Sequence, residues 1–463
     1  MKRNIATVNL RTVFMSVPSF STLPPPRSAR PSVFGAIGIM PGTFHFPQPH
    51  NPCMLRDNMI TRLSNLFLAV LVVLALPFGA AARQSVHITM RTLPPVALPA
   101  FMRSFSFVSQ GPGEITVTGT TFDPAFPDEE DAYGIATLRF NTSGRRLWLT
   151  PFDGHGLEDG AGAPTIDGQG NVFVTGFSEF ATNAFEAVTL KYSKKGVPVW
   201  TNYFQADPSF TTGFSITDNK RGETAVIVRT LTNNILVKLD KHGALAWQVD
   251  LGQPAGTEGL PAYVAAFDPG GNVLVSGPTP SGNLFSNAVA QTIKFNHRGV
   301  ALWTNRYDNS VGERPLGIIT DQQGQVFVTI ASARRNDVLP NAGTITPQWV
   351  VVSYGPDGQH KWTGFIDDVP LGVSPTALTI DRRGSVYVGA TIPTGEVRVV
   401  KFSKNGQLRW DKSKATSMVG PSSLRFGWVT PHQMTIYQDG VSAGVGTPEP
   451  VWSRVQLHYV EGL

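Results

Sequence analysis

Apolar side chains in this chain come in short alternating bursts, not at helical spacing. NVFVTG (171–176), AVTLKY (187–192), NVLVSG (272–277) and VYVGA (386–390) each run for five or six residues beside turn-forming segments such as DGQG, SKKG, DPGG and DRRG. A period of two over so short a run predicts strands. Runs such as NVFV, with little polar relief, predict strands covered on both sides. With 46 Gly, 36 Pro and only 15% charged residues, the composition suits many short strands joined by turns.

The bursts repeat. One unit reads APTIDGQGNVFVTG, a variable stretch, then AVTLKYSKKGVPVWTNYF (Ala163 to Phe204). Its first half returns from Asp268, Asp321 and Asp381, more loosely from Gln110, and with one extra residue from Asp218. Its second half returns in six copies in which Gly precedes Trp by four: Gly144/Trp148, Gly196/Trp200, Gly243/Trp247, Gly299/Trp303, Gly358/Trp362 and Gly406/Trp410. The Trp intervals are 52, 47, 56, 59 and 48. A period near 50 with four strands per unit predicts propeller blades. Where Asp heads DxxG it can bond its own downstream backbone, and Gly takes the positive-φ position. S-K-K-G and D-K-H-G close the second hairpin in the same way, and Trp supplies apolar area between blades.

With the strands named A to D, the A–B and C–D connections are uniformly short, and the B–C and D–A connections carry the insertions. After Trp410, SSLRFGWV, HQMTIYQDG and VWSRVQLHYV read as strands A, B and C of a seventh blade. SVHITMRTL (Ser85 to Leu93) is then free to supply its D strand. Closure by both ends removes exposed sheet edges. The expectation is an all-β, seven-bladed β-propeller; six blades with an appended tail is the alternative.

The DxxGNVxVTG half followed by K-Y/F-x-x-x-G-x-x-x-W resembles the SBBP-type β-propeller repeat of secreted bacterial proteins, from about Phe105 to Trp410. The resemblance implies an extracytoplasmic propeller and brings no catalytic motif. The run from Leu239 to Trp247 is similar to quinoprotein (PQQ-type) repeats, which dock blades through Trp. The adjacent cysteine pair found in many quinoprotein dehydrogenases is missing, and the expectation is no cofactor.

Charge changes the picture once it is divided. Residues 1–82 hold seven Lys or Arg and one acid, Asp57. Removing these from 38 and 33 leaves 31 cations against 32 acids, so the basic balance belongs to the leader and gives no nucleic-acid footprint. LFLAVLVVLAL (Leu66 to Leu76) follows Arg56 and Arg62 and precedes Ala80-Ala81-Ala82, the pattern of a signal peptide cleaved after Ala82. An uncleaved anchor is the competing reading. Residues 54–82 are therefore read as the signal peptide and 83–463 as the propeller. Residues 1–53, Pro-rich and without an acid, are read as a non-native or disordered extension. The one cysteine, Cys53, lies in that extension, so the mature chain has no thiol chemistry. The expected destination is secretion or the periplasm and cell envelope, as a monomer.

Candidate chemistry is sparse. Acids gather in the blade 1 B–C loop (Asp123, Asp128, Glu129, Glu130, Asp131) and in the next D–A loop (Asp153, Glu158, Asp159, with His155). Oxygen ligands of this kind suit Ca²⁺, but the spacing is not an EF-hand and a solvated acidic loop is preferred. Asp167, Asp218, Asp268, Asp321 and Asp381 recur at one position of every unit and read as turn residues. His242 and His360 fall in or just after C–D turns, away from the long loops. Arg334-Arg335 lie in the blade 5 B–C loop (Ala331 to Gln348), where an anionic ligand would meet them. No metalloprotease, nucleophile-elbow or phosphate-loop motif is present. No catalytic, cofactor or metal residue is assigned. The expectation is a non-catalytic binding module holding a protein or glycan on the B–C/D–A face. The alternative is a glycan hydrolase or lyase, or a quinoprotein-like oxidoreductase.

Overall fold

Strands of two to twelve residues, broken by turns and loops, bury their apolar faces by stacking sheet on sheet. The computed structural model describes residues 86–92, 96–98, 102–110, 114–122, 133–141, 143–252, 263–279, 288–309, 312–336, 344–392, 394–416, 418, 422–443 and 450–461. Residues 81–463 form a compact unit. The leader expected at 54–82 and the extension before it lie outside the described residues.

The described chain opens with β1 (Val86–Thr92) and β2 (Val96–Ala97). Blade 1 follows as β3 (Met102–Gln110), β4 (Glu114–Phe122), β5 (Tyr133–Phe140) and β6 (Arg146–Phe152). Blade 2 is β7 (Asp159–Ile166), β8 (Val172–Ala181), β9 (Ala184–Tyr192) and β10 (Pro198–Phe204). Blade 3 is β11 (Thr211–Asp218), β12 (Thr224–Thr230), β13 (Asn234–Leu239) and β14 (Leu245–Gly252). Blade 4 is β15 (Val264–Phe267), β16 (Val273–Pro278), β17 (Ala290–Phe295) and β18 (Ala301–Tyr307). Blade 5 is β19 (Arg314–Thr320), β20 (Val326–Asn336), β21 (Thr344–Tyr354) and β22 (His360–Ile366). Blade 6 is β23 (Ala377–Ile380), β24 (Val386–Ile392), β25 (Glu396–Phe402) and β26 (Leu408–Ala415). Blade 7 joins β27 (Ser422–Val429), β28 (Gln433–Ala443) and β29 (Pro450–Glu461) to β1, with β2 also paired to β29. The protein is a seven-bladed β-propeller.

The ring closes as the sequence predicts. β1 lies antiparallel to β29 from Val86↔Glu461 to Thr92↔Val455. The seventh blade thus takes three strands from one end of the propeller and one from the other.

The cores lie between blades. Ile135 of blade 1 packs with Val172, Val174, Val188 and Leu190 of blade 2, and Phe327 and Val351 of blade 5 with Val386, Val388 and Phe402 of blade 6. A repeat Trp marks six of the seven seams and points forward. The indole N–H of Trp148 donates to Lys194 O at 3.1 Å, Trp200 to Lys241 O at 3.2 Å, and Trp247 to His297 O at 2.9 Å. Trp303 donates to Pro356 O at 3.1 Å and Trp362 to Lys404 O at 2.9 Å. Each acceptor is in the C–D turn of the following blade. That turn's Gly has φ near +80°, and a Cβ on Gly196 would fall 2.5 Å from the Trp148 ring. The Gly-to-Trp spacing therefore records two contacts: Gly receives the preceding blade's Trp, and its own Trp moves on to the next. Blade 7 has no such turn, and Trp410 donates instead to Glu461 Oε1 at 2.8 Å.

The repeated Asp residues act as turn heads, with one exception. Asp167 Oδ1 accepts the backbone N–H of Gln169 (3.0 Å) and Asn171 (2.8 Å), and Asp321 and Asp381 do the same in their blades. Asp218 does not. Asn219 takes the head position, its Oδ1 accepting from Arg221 and Glu223, which accounts for the extra residue in that unit. The blade 5 B–C connection is also corrected. β20 and β21 continue as a paired hairpin through Asn336↔Thr344, so Arg334 and Arg335 belong to a strand and not to a loop.

Candidate ligand-binding face

Up-and-down order within each blade sends all D–A and B–C connections to one end of the strands and all A–B and C–D turns to the other. At the D–A/B–C end, a cavity of about 820 Å³ opens over the inner strands of blades 1 to 3. Gly160 to Ala163 of β7 and Thr212 to Phe214 of β11 form its floor, while Phe177, Phe210, Leu231 and Arg229 stand around it. Glycine makes the room. A Cβ on Gly213 would lie 1.8 Å from Thr175 Oγ1, and one on Gly162 would lie 2.7 Å from Gly213 O. Only bare backbone lets these inner strands approach so closely. Phe177, Phe185 and Phe210 contact edge to face at 5.4 and 6.0 Å, which fixes the rings beside the opening.

A polar group sits at the same end, between blades 1 and 2. Asp159 begins β7 and is fully buried. Its Oδ2 accepts the Gly154 N–H at 2.7 Å, and Gly156 N–H donates to Asp153 Oδ1 at 2.9 Å, so two acids of the D–A connection shape that connection. Burial pushes the Asp159 carboxyl up to about 6; the Ser178 hydroxyl and the Gly154 N–H pull it back, and Asp153 adds to the rise. His155 Nε2 lies 2.8 Å from Glu186 Oε1, and its ring lies 4.9 Å from the Tyr203 ring. Tyr203 is itself pushed up, by burial first and then by Asp159 and Glu186.

The fold thus brings together Asp153, His155 and Asp159, three of the residues singled out in the sequence. Glu186 and Tyr203 join them and were not foreseen, because they come from β9 and β10 and approach only through the blade. The acids Asp123, Asp128, Glu129, Glu130 and Asp131 lie outside the described residues. Among the described residues, no group of three or more His, Cys, Asp or Glu is placed to hold a metal. His242 lies in a C–D turn and His360 opens β22, at the far end from this group.

At that far end a second cavity, of about 570 Å³, is bordered by A–B turns of blades 2 to 5, including Asp218, Lys220, Arg221, Asp268 and Asp321. Asp218 Oδ1 accepts the Thr165 hydroxyl at 2.8 Å. Burial pushes its carboxyl up to about 6, with the Thr165 bond opposing and Asp167 adding to the rise.

No family model matches the chain, and no curated protein does. Several solved structures are similar at low identity. The β-propeller domain of Nup133 from Vanderwaltozyma polyspora is 10% identical, with 81% of this chain and 98% of that chain covered and a TM-score of 0.43. An ulvan lyase, a polysaccharide lyase, bound to an oligosaccharide of GlcA and Rha3S, is 13% identical, with 80% and 95% covered and a TM-score of 0.40. A protein from Lactobacillus plantarum is 11% identical, with 73% and 94% covered and a TM-score of 0.43. Likeness at this level carries no functional information.

Proposed function

We propose that the chain is an exported, non-catalytic binding module that holds a protein or glycan partner on its D–A/B–C face. The observation that carries this reading is the cavity over β7 and β11. It is of a size that takes a side-chain cluster or a sugar ring, and its walls combine Phe177, Phe210, Phe214 and Leu231 with a few polar groups. Arg229 is the ionisable side chain among its described lining, so the lining supplies no acid–base pair. Export rests on the apolar run Leu66 to Leu76 and the alanines after it.

The test is a screen of the immobilised propeller against a glycan array and against purified envelope proteins. A partner that loses at least tenfold in affinity on Phe214→Ala with Leu231→Ser, and keeps it on Lys194→Glu with Lys195→Glu at the other end, supports the module. A second reading, a hydrolase or lyase acting on glycans, is favoured by Asp159 and its raised carboxyl beside His155 and Tyr203. Turnover of a chromogenic glycan that disappears in Asp159→Asn would replace the first reading with this one.

A further inference from the structure

We propose that the A–B/C–D end of the propeller is a docking surface that lies on an anionic phospholipid bilayer. The summed charge of the propeller region is close to zero, and the topology sorts it. Acids in the A–B and C–D turns are drawn inward by the turns themselves. Asp167, Asp268 and Asp381 are buried, and Asp240 spends its Oδ1 on the N–H groups of His242 and Ala244. Glu223 and Glu461 pair with Lys238 and Lys401. In three of the same turns the middle positions are exposed cations, Lys194-Lys195, Lys220-Arg221 and Arg382-Arg383, while Gly168-Gln169, Pro269-Gly270 and Gln322-Gln323 are neutral. Asp357 is an exposed carboxylate among these turns, and Glu114, its side chain 45% exposed, is paired with Arg139.

Beside the cations stand aliphatic side chains that the fold turns outward. Every D strand of blades 1 to 6 carries a β-bulge just before its Trp. A bulge leaves one residue unpaired and re-aims it. In blades 1, 2 and 4 that residue is Leu147, Val199 or Leu302, exposed at 40%, 53% and 53%. Val197 and Val300, in the adjoining turns, are 59% and 58% exposed. Basic turns and exposed aliphatics recurring around one rim suit an interface of anionic headgroups over acyl chains. A polysaccharide would leave the aliphatics uncovered. The chain also enters the propeller here: Val86 pairs with Glu461, whose N–H donates to His432 O in the blade 7 A–B turn. Docking by this end leaves the cavity at the opposite end open to a partner.

The test is co-sedimentation of the 83–463 propeller, which carries its own complete ring and lacks the apolar leader run. The vesicles are phosphatidylglycerol mixed with phosphatidylcholine, and phosphatidylcholine alone. Binding is expected to the mixed vesicles only and to weaken as salt shortens the screening length. Each cation contributes roughly fivefold, the equivalent of about 1 kcal/mol per Lys or Arg near such a surface. The Lys194→Glu, Lys195→Glu, Lys220→Glu, Arg221→Glu variant should therefore lose at least a hundredfold, with its melting temperature unchanged. Val197→Ser, Val199→Ser, Leu302→Ser should weaken binding most at high salt, and Phe214→Ala should bind as the parent does. Equal sedimentation with both vesicle types, no sedimentation with either, or unchanged binding by the charge variant would each overturn the proposal. Retention on heparin without vesicle binding would overturn it in favour of an anionic polysaccharide.

Discussion

Blades 1 to 6 and blade 7 solve the same packing problem with different parts. Between repeated blades the joint is a Trp that donates to the next C–D turn and packs on that turn's Gly, as Trp200 does with Lys241 and Gly243. Blade 7 has no such turn, because its C and D strands come from opposite ends of the propeller. Trp410 stacks on Tyr459 at 6.1 Å and donates to Glu461, which also receives Lys401. The face of blade 7 turned away from blade 6 carries an ion cluster, in addition to the apolar cluster that Leu98, just after β2, forms with Ile115, Val117, Leu138 and Phe140 of blade 1. Arg425 and Arg454 each meet Asp439 at 2.8 Å and lie over the Tyr437 ring at 4.9 and 4.8 Å. A repeated joint tolerates the loss of any one copy, whereas a unique joint does not. Arg425, Asp439 and Arg454 stand on β27, β28 and β29, so these pairs tie the three strands to one another, and β1 joins them through its backbone pairing with β29.

The comparison can be broken most directly at β1. Removing residues 86–92 leaves the edge of β29 unpaired, and an open edge pairs with other chains. The expected outcome is loss of the monodisperse species and of a cooperative melt, followed by size exclusion and thermal unfolding. A monomer melting at the parent temperature would refute the role of β1 as the closing strand. A smaller effect is expected at a repeated joint. Trp200→Ala should cost about 2–4 kcal/mol, since the ring is partly exposed, and should leave a single transition in denaturant. A split transition would mean that the joints are not equivalent.

The smallest effect is a pH dependence at the mouth between blades 1 and 2. The carboxyl of Asp159 titrates near 6 in the folded state against an ordinary 3.8. Between these values the folded chain holds a proton that the unfolded chain has released, so stability falls as pH rises from about 4 to 6 and is level above. Asp159→Asn should flatten that fall, by at most about 3 kcal/mol between its ends. Asp218, pushed up in the same sense, contributes a similar slope that the variant retains. A stability curve identical in parent and variant would show that Asp159 keeps its charge on folding.

Most of the architecture is legible in the sequence because it is local. Most hairpins are announced by their own turn residue and Gly, the period of the Trp residues marks six blades, and the strand pattern after Trp410 supplies the seventh. Even the closing strand is readable, since SVHITMRTL alternates and precedes the first A strand. The blade 5 hairpin was missed because Ala331 to Asn336 is small and polar and offers no alternating signal. The displaced turn at Asp218-Asn219 was missed because either residue can head a turn, and register alone decides between them. The group around His155 could be only half foreseen. Asp153, His155 and Asp159 are close in sequence, but Glu186 and Tyr203 reach them across β9 and β10. The sorting of charge between the two ends is invisible in a total of 31 against 32, and appears once each turn is assigned an end.

The forward direction of the Trp contact makes each blade a link with a head and a tail. A link copied or deleted between two repeated blades presents the same head to the same tail, and the angle between blades is what must then change for the ring to close. Only the clasp in blade 7 is matched to one pair of ends. Joining those ends by a short linker and cutting the chain in another blade's turn would move the clasp without altering any other joint.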